Sequence, residues 1–294
     1  MTAKHFAFLV LITFVWALSL VAVSIGVQEM PPLLFTGLRF LLLAVILAPF
    51  LRWHRGQMGK IAIVAMGAGA LQFGLFFTGI YVADDLSSVA IATQLGVPFT
   101  TLLSMVLLGE TVGWRRWLGM ALSFVGVMAI SFDPRVFAYI DGMAFGVAAA
   151  LVGAVSIIVM RQLETVGVFA LQAWIALLSW PLLLPASLVI EGDALALMAE
   201  ASWRTWAAIA FTALVSNLVA HAGLFYLIQR YEVSRISPLT LMTPVFTVIL
   251  GVTVLGDVLT GRMVLGGVIT LIGVLIISVR RPETVLAVEE RSAP

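Results

Sequence analysis

The sequence predicts an all-α membrane protein whose ten transmembrane helices form two inverted five-helix repeats. Three observations lead to this prediction: an apolar composition, ten separate apolar runs, and a long segment that occurs twice. Of the 294 residues, 62% are hydrophobic and only 11% are charged. A water-soluble globular domain carries about 25% charged residues. The composition therefore places the chain in a lipid bilayer.

Ten apolar runs divide the chain, each close to the roughly 20 residues that a helix needs to cross a bilayer. Their predicted limits are 5–27, 33–51, 60–82, 87–108, 114–132, 140–160, 167–190, 203–227, 235–255 and 262–280. The first run is too long for the apolar core of a signal peptide, so we interpret it as the first membrane helix. The short connections leave no room for a catalytic domain in water. The absence of cysteine excludes disulfides and thiolate chemistry.

The segment from Ser88 to Ser131 recurs in altered form from Ser234 to Ser278. Each copy has a proline inside an apolar run, a glycine followed by an acid, and then a glycine-spaced apolar run. Three matches share an offset of 147 residues: Gly119 with Gly266, Gly126 with Gly273, and Ser131 with Ser278. Pro98 and Pro244 lie 146 residues apart, so the second copy gained one residue between its proline and its glycine. A duplication of this length predicts an architecture of two halves.

An odd number of helices in each half makes the second half enter the membrane from the opposite face. We predict a first repeat at residues 1–133, an inverted second repeat at 134–281 and a tail at 282–294. Twelve of the sixteen Lys and Arg residues fall on one side of this topology and three on the other, with Arg39 inside a run. The positive-inside rule therefore predicts that both termini are cytoplasmic. Inverted repeats are typical of secondary transporters, whose substrate site lies near the midplane between the halves.

Two polar residues occupy matching positions in the third and eighth runs. The stretch Gly74-Leu75-Phe76-Phe77 matches Gly223-Leu224-Phe225-Tyr226 at an offset of 149, which pairs Gln72 with His221. Gln72 with Phe76, and Asn217 with His221, are four residues apart and share a helix face. Facing a central cavity, these residues would offer donors and acceptors to the ammonium and carboxylate of a substrate. The alternative is that the polar groups bond one another across a helix interface.

Aromatic residues within the runs indicate the kind of substrate. Rings around a few polar groups suit bulky, partly apolar amino acids through stacking and contact with a cationic amine. The alternative for each ring is helix packing. We expect Trp16, Phe76 and Trp174 above all to contact substrate, with Tyr81 and Tyr226 as further candidates. The full aromatic set within the runs is Trp16, Phe73, Phe76, Phe77, Tyr81, Trp174, Trp180 and Tyr226.

The two prolines free backbone carbonyls, that of Gln94 for Pro98 and that of Thr240 for Pro244. One interpretation is that helices 4 and 9 kink there, act as hinges or line the cavity, with Gln94 contacting substrate. The other is an ordinary kink that neighbouring helices satisfy. Glu110 and Asp257 follow the glycines that close these helices, and for them we favour capping and anchoring of an interface.

The sequence resembles the EamA-type transporters of the drug/metabolite transporter superfamily over nearly its whole length. The matching motifs are Val97-Pro98 through Leu108-Gly109-Glu110, its second copy Thr243-Pro244 through Gly256-Asp257, Leu38-Arg39-Phe40, and Phe14-Val15-Trp16-Ala17. Asp257 departs from the usual Glu. The resemblance implies two inverted five-helix repeats, a location in the bacterial inner membrane, and export of amino acids. The family pattern has arginine at position 39 although its substrates vary. For Arg39 we therefore favour a structural or gating pair with Asp84 or Asp85 over binding of a substrate carboxylate or snorkelling.

We therefore predict export of amino acids by alternating access; transport of a nucleotide-sugar or a drug-like organic cation is the alternative. No acid lies near the middle of any run, which favours facilitated diffusion or weak coupling, with His221 as the one titratable candidate. An intramembrane enzyme would need clustered His, Asp or Glu, and no nucleotide or metal motif is present, so we expect neither catalysis nor a cofactor or metal. The expected partners are a small-molecule substrate and the bilayer, without nucleic acid, and we expect a monomer.

The cysteine-free sequence makes the inverted topology directly testable. Single cysteines placed at Gly56 and at Asp193 should react with a membrane-impermeant maleimide from opposite sides of the membrane. Reaction of both from one side would refute the inverted arrangement.

Overall fold

The computed structural model describes residues 1–83, 86–131, 140–163, 165–256 and 258–278, and all its regular structure is helical. Ten long helices follow one another: α1 (Ala3–Gly26), α2 (Pro32–Phe50), α3 (Met58–Val82), α4 (Val89–Leu108), α5 (Trp114–Ser131), α6 (Ile140–Arg161), α7 (Val168–Ile190), α8 (Trp203–Ile228), α9 (Val233–Leu255) and α10 (Gly261–Ser278). All except α5 are long and apolar enough to cross a membrane by themselves. Arg115 and Arg116 lower the hydropathy of α5. A short helix, Ala194–Glu200, lies between α7 and α8. The predicted fold class is confirmed.

The last helices of the two halves, α5 and α10, pack with their backbones in close approach. A Cβ atom added at Gly119 would lie 2.7 Å from the carbonyl oxygen of Gly273, and one added at Gly126 would lie 2.6 Å from that of Gly266. Residues nearer the end of α5 thus contact residues nearer the start of α10. The two helices are therefore antiparallel, as inverted halves require.

Ser123 and Thr270 mark the pseudo-two-fold axis between the halves. They lie 147 residues apart, the offset of the glycines around them, and each hydroxyl donates to the other residue's carbonyl oxygen, at 3.1 Å from Ser123 and 3.4 Å from Thr270. Such reciprocal contacts are the signature of a self-complementary two-fold interface. The axis therefore passes between these two residues.

The first helix of each half packs into the other half. Helix α1 contacts α8 and α9, and α6 correspondingly contacts α3 and α4. On the axis, α2 faces α7 and α4 faces α9. Eight helices thus surround a central space, with α5 and α10 to one side. The predicted boundary at residues 133 and 134 and the tail at 282–294 lie outside the described residues.

Helical irregularities occur at matching places in the two halves. Helix α3 has a π-helical segment at Met66–Leu71 and α8 has one at Thr212–His221, each directly before or at the predicted polar pair. Helix α4 is interrupted between Thr93 and Gly96, and α9 has a 3-10 segment at Ser237–Leu241. Such departures from α-helix are frequent at functional sites.

One irregularity occurs only in the second half and explains the change in repeat offset. After its proline, α9 widens into a π-helix at Gly251–Leu255, whereas α4 stays α-helical to Leu108. A π-segment holds one more residue per turn, so it absorbs the residue gained between Pro244 and Gly256. Both helices then end alike, with Gly109 at φ 68° and Gly256 at φ 77°. Only glycine adopts this left-handed conformation at little cost.

Three carboxylates from helix ends cap helix starts in the opposite half. We call the side where α1 begins the N-terminal face. There, Glu110 accepts hydrogen bonds from the amides of Val233 (2.7 Å) and Ser234 (2.8 Å) at the start of α9. At the opposite face, Glu191 accepts from the amides of Leu33 (2.7 Å) and Leu34 (3.0 Å) at the start of α2. The first amides of a helix lack internal partners and carry partial positive charge, so carboxylates stabilise them.

Glu29 forms the third cap, at the start of α8. Its carboxylate accepts from the Thr205 hydroxyl at 2.6 Å and from the Ser202 amide at 2.8 Å. These hydrogen bonds, that from Thr205 above all, lower the pKa of Glu29 below its ordinary value. A lowered pKa means that the cap is present at neutral pH and is lost only when the pH falls into the acid range.

Gly126→Ala tests the close approach of α5 and α10. The added methyl group meets backbone atoms of α10, so we expect the free energy of unfolding to fall by about 1–3 kcal/mol. Thermal unfolding in detergent measures the effect. Gly74→Ala is the matched control, because nothing lies within 4 Å of its added Cβ. Equal melting temperatures for Gly126→Ala and the wild type would contradict the packing.

Glu110→Ala tests the cap that joins the halves at the N-terminal face. The substitution leaves two amides of α9 without an acceptor, and we expect a loss of about 1–3 kcal/mol. Glu110→Gln, which keeps one acceptor oxygen, should lose less. The control is Glu200→Ala, which removes an exposed carboxylate. If Glu110→Ala and Glu200→Ala have the same melting temperature, the cap contributes no stability.

Candidate functional site

A cavity of about 220 Å³ lies between the two halves, enclosed by helices other than α5 and α10. It extends from mid-bundle toward the N-terminal face, where its wall includes Met160 near the end of α6, Ile228 at the end of α8 and Val233 at the start of α9. The wall is mainly apolar, with amide, hydroxyl, imidazole and indole groups distributed around it. Its polar and aromatic residues are Trp16, Phe40, Gln72, Phe73, Thr93, Thr100, Gln172, Asn217, His221, Ser237 and Thr240.

The predicted polar pair lies in this wall. Gln72 follows the π-segment of α3, and His221 ends the π-segment of α8. In the described part of the chain, neither side chain makes a hydrogen bond to protein. The alternative that the two bond one another therefore finds no support in this geometry. Both polar groups are available to a molecule in the cavity.

Trp16 and Asn217 complete the polar group around His221. The Trp16 and His221 rings meet edge to face, with centroids 5.3 Å apart. The buried Trp16 Nε1 atom has no hydrogen-bond partner among the residues that the structure describes, so one donor at the wall is unsatisfied there. The Asn217 amide nitrogen donates to the Thr212 carbonyl oxygen, five residues earlier, at 2.9 Å. This bond depends on the π-helical backbone, which thereby orients Asn217.

Gly153 of α6 provides room for Gln72. A Cβ atom added at Gly153 would lie 3.0 Å from the Gln72 amide group. Both residues line the cavity. The small residue in one half therefore accommodates the polar side chain of the other.

Five residues predicted to contact substrate lie outside the cavity wall. Phe76 is one helical turn beyond Gln72 toward the opposite face and packs against Phe77. Tyr81 lies farther along α3 and is 69% exposed. Trp174 donates from Nε1 to the Arg52 carbonyl oxygen at 3.1 Å.

The other two are Tyr226 and Gln94. Tyr226 packs against His5 and Phe8, and the Arg230 guanidinium carbon lies 3.6 Å from its ring centroid. Gln94 lies in the interruption of α4, where its carbonyl oxygen accepts from the Val97 amide at 3.3 Å. Phe76 and Tyr81 lie beyond the cavity along α3, whereas Gln94, Trp174 and Tyr226 lie at the depth of wall residues but on other faces of their helices.

Pro98 and Pro244 border the irregular stretches of α4 and α9 that line the cavity. Gly96, Val97 and Thr100 belong to the wall on one side, and Ser237 and Thr240 on the other. The Thr100 and Thr240 hydroxyls bond within their own helices, donating to the carbonyl oxygens of Gly96 at 2.6 Å and Ser237 at 2.7 Å. The backbone near each proline is thus satisfied locally while its side chains face the cavity.

The remaining predicted gating residues differ in how much of their surroundings is described. Glu110 caps α9, and beside it Arg116 of α5 pairs with Glu232 at the start of α9. Asp257 lies outside the described residues, as do Asp84 and Asp85, the predicted partners of Arg39. The Arg39 guanidinium lies against the rings of Phe40 and Phe73, with its central carbon 4.8 and 4.7 Å from their centroids.

Several wall residues were not predicted. Gln172 is 2% exposed and lies inside the seventh apolar run, so its polarity there was an available signal. Thr93, Thr100 and Ser237 lie near the prolines but resemble the many hydroxyl residues of membrane helices. Phe40 carries no signal that distinguishes it from packing residues, whereas Phe73 belongs to the aromatic set named from the sequence and does line the cavity.

Known transporters resemble this chain over both of its halves. The model of the EamA-like transporter family matches residues 4–132 and again 140–279, one match for each half. The chain is 26% identical over 284 residues to the "Probable amino-acid metabolite efflux pump" of Escherichia coli (strain K12), covering 94% of this chain and 95% of that protein. It is 27% identical over 285 residues to the protein of the same name from Salmonella typhimurium, with the same coverage.

A solved crystal structure superposes on the fold with a TM-score of 0.79. The superposition covers 95% of this chain and 98% of that chain at 16% sequence identity, so it supports the fold alone. The family matches span both inverted halves, and the cavity lies between them. The chain therefore belongs to the EamA-like transporter family and is a membrane transporter rather than an enzyme.

Proposed function

We propose that this transporter exports amino acids, including aromatic or bulky apolar ones, by alternating access around the central cavity. The observation that carries the proposal is a wall that combines Trp16, Phe40 and Phe73 with the amides and imidazole of Gln72, Asn217 and His221. An amino acid presents an apolar side chain together with a polar head, and this wall offers complementary surfaces for both. The names of the two bacterial relatives, both amino-acid metabolite efflux pumps, support the same substrate class.

The size and charge of the cavity favour an amino acid over the alternative substrates. Its volume is below the about 300–1,000 Å³ of pockets that hold drug-sized ligands, which disfavours a nucleotide-sugar. Among the described wall residues there is no Asp or Glu to pair with an organic cation. A compact zwitterion is the better fit.

Alternating access requires the halves to separate at one face while they stay joined at the other. The carboxylate caps supply such joints: Glu110 at the N-terminal face, and Glu29 and Glu191 at the opposite face. The cavity extends toward the N-terminal face. The caps at both faces are formed in this structure. With the termini in the cytoplasm of a bacterial inner membrane, as proposed, release of the Glu110 cap would open the cavity to the inside of the cell.

The proposal is tested with purified protein in liposomes loaded with labelled phenylalanine, leucine or other amino acids. We expect efflux above that of empty liposomes, and we expect Gln72→Ala combined with His221→Ala to reduce it at least tenfold. Because neither side chain is hydrogen-bonded to described protein groups, the double variant should melt close to the wild type.

Leu71→Ala is the matched control, since Leu71 is adjacent to Gln72 but 49% exposed on the outer surface. Its flux should equal that of the wild type. Absence of flux for every amino acid tested would refute the substrate class. A double variant that loses stability instead of flux would identify a packing pair.

A further inference from the structure

Arg39 is a buried cation without an anionic partner in the described part of the chain. Its side chain is 4% exposed, near the middle of α2. Its Nε and Nη2 atoms have no hydrogen-bond partner, and no described carboxylate forms an ion pair with it. A charge removed from water is costly unless a counter-charge and hydrogen bonds compensate it. Among the described residues, the guanidinium therefore has no compensating anion.

The guanidinium lies directly behind the aromatic part of the cavity wall. Its central carbon is 4.8 Å from the centroid of Phe40 and 4.7 Å from that of Phe73, and both rings line the cavity. Its charge is also close enough to act electrostatically on His221, another wall residue. A molecule in the cavity is thus separated from Arg39 by the thickness of a ring.

The two unsatisfied atoms have the geometry that a carboxylate requires. Nε and Nη2 form one edge of the planar guanidinium, and their N–H groups point in parallel. A carboxylate accepts such a pair in a bidentate arrangement, which is stronger and more selective than a single contact. Lysine, with a compact ammonium group, cannot reproduce this fork.

Three fully buried polar atoms at this part of the cavity have no hydrogen-bond partner among the described residues, and all three are donors. These donors are Arg39 Nε, Arg39 Nη2 and Trp16 Nε1. Three donors with one positive charge, and no acid in the described wall, are complementary to an anion. This selects against a cation and for a substrate with a carboxylate.

Resting on the proposed function, we propose that Arg39 binds the carboxylate of the transported amino acid, with the Trp16 indole N–H beside it. Because Arg39 is not itself in the wall, the half-buried Phe73 ring rotates off the guanidinium as the carboxylate enters. The cation–π contact is replaced by a bidentate ion pair. Phe40 and Phe73 thereby keep the charge covered while the cavity is empty.

Ligand-dependent thermal stability in detergent tests this role, with phenylalanine and phenylalaninamide as probes. The two differ only in the carboxylate. For the wild type we expect phenylalanine to stabilise at a concentration at least tenfold below that of the amide, because a bidentate charged contact is lost with the amide. Equal potency of the two probes would overturn the proposal.

Two variants separate fork geometry from charge. Arg39→Lys should weaken phenylalanine binding about tenfold, and Arg39→Met should weaken it further. Neither should change the response to phenylalaninamide. Retention of wild-type phenylalanine binding by Arg39→Met would overturn the carboxylate role.

The melting temperature without ligand distinguishes this role from a fixed ion pair. Removal of an unpaired buried charge should leave the melting temperature of Arg39→Met unchanged or higher, whereas loss of a structural pair with Asp84 or Asp85 would lower it. Asp84→Asn combined with Asp85→Asn should leave phenylalanine binding unchanged; a loss of binding there would count against the proposal.

The two proposals fail in different ways. If no amino acid stabilises the wild-type protein or is transported by it, the proposed function is wrong. The proposed role of Arg39 is then wrong as well. If phenylalanine instead binds and is transported, yet binds no more tightly than phenylalaninamide and equally well to Arg39→Met and the wild type, only the role of Arg39 is wrong.

Discussion

The need to pair every backbone hydrogen-bonding group without help from water is the constraint on which this structure depends. In hydrocarbon an unpaired amide or carbonyl is costly, so irregular backbone is tolerated only where protein or a polar cavity surrounds it. The π-segments of α3 and α8 and the irregular stretches of α4 and α9 all border the same cavity. These four departures from regular helix therefore coincide with the candidate site, whereas the π-segment at Gly251–Leu255 lies away from it.

The two halves meet in two physically different ways. Along α5 and α10 the glycines let backbones touch, and the hydrogen bonds of Ser123 and Thr270 fix their register. Elsewhere the halves meet through side chains: three carboxylate caps at the faces, and around the cavity a wall that both halves contribute. Backbone packing of the first kind is difficult to separate, whereas contacts between side chains can form and break. The α5–α10 pair is thus suited to hold the halves together during movement.

The fold was predictable because duplication and hydropathy are properties of long segments, and the spacing of Gly119, Gly126 and their counterparts survives in the structure as direct contact. Part of the candidate site was also predictable. Gln72 and His221 are polar residues at a depth where exposure to hydrocarbon would be costly. Both line the cavity. The offset of 149 residues between the two matching stretches was enough to pair Gln72 with His221.

The aromatic residues show why the rest could not be predicted. Periodicity identifies the face of a helix but not how far along it a cavity reaches. Phe76 shares a face with Gln72 yet lies one turn too deep, whereas Phe73 borders the cavity. Arg39 was recognised as unusual, but whether its partner is a protein carboxylate or a bound molecule depends on its surroundings in three dimensions. No pattern in the sequence shows that two of its guanidinium nitrogens have no acceptor among the described residues.

The π-segment at Gly251–Leu255 has a consequence for how duplicated membrane proteins diverge. An inserted residue in an α-helix rotates everything beyond it by about 100° and would turn an inward-facing surface toward lipid. A single wide turn at the end of α9 absorbs the extra residue before the helix ends. Gly256 accordingly ends α9 in the same conformation in which Gly109 ends α4. Two copies of an ancestral half can therefore change in length independently and still assemble around one axis.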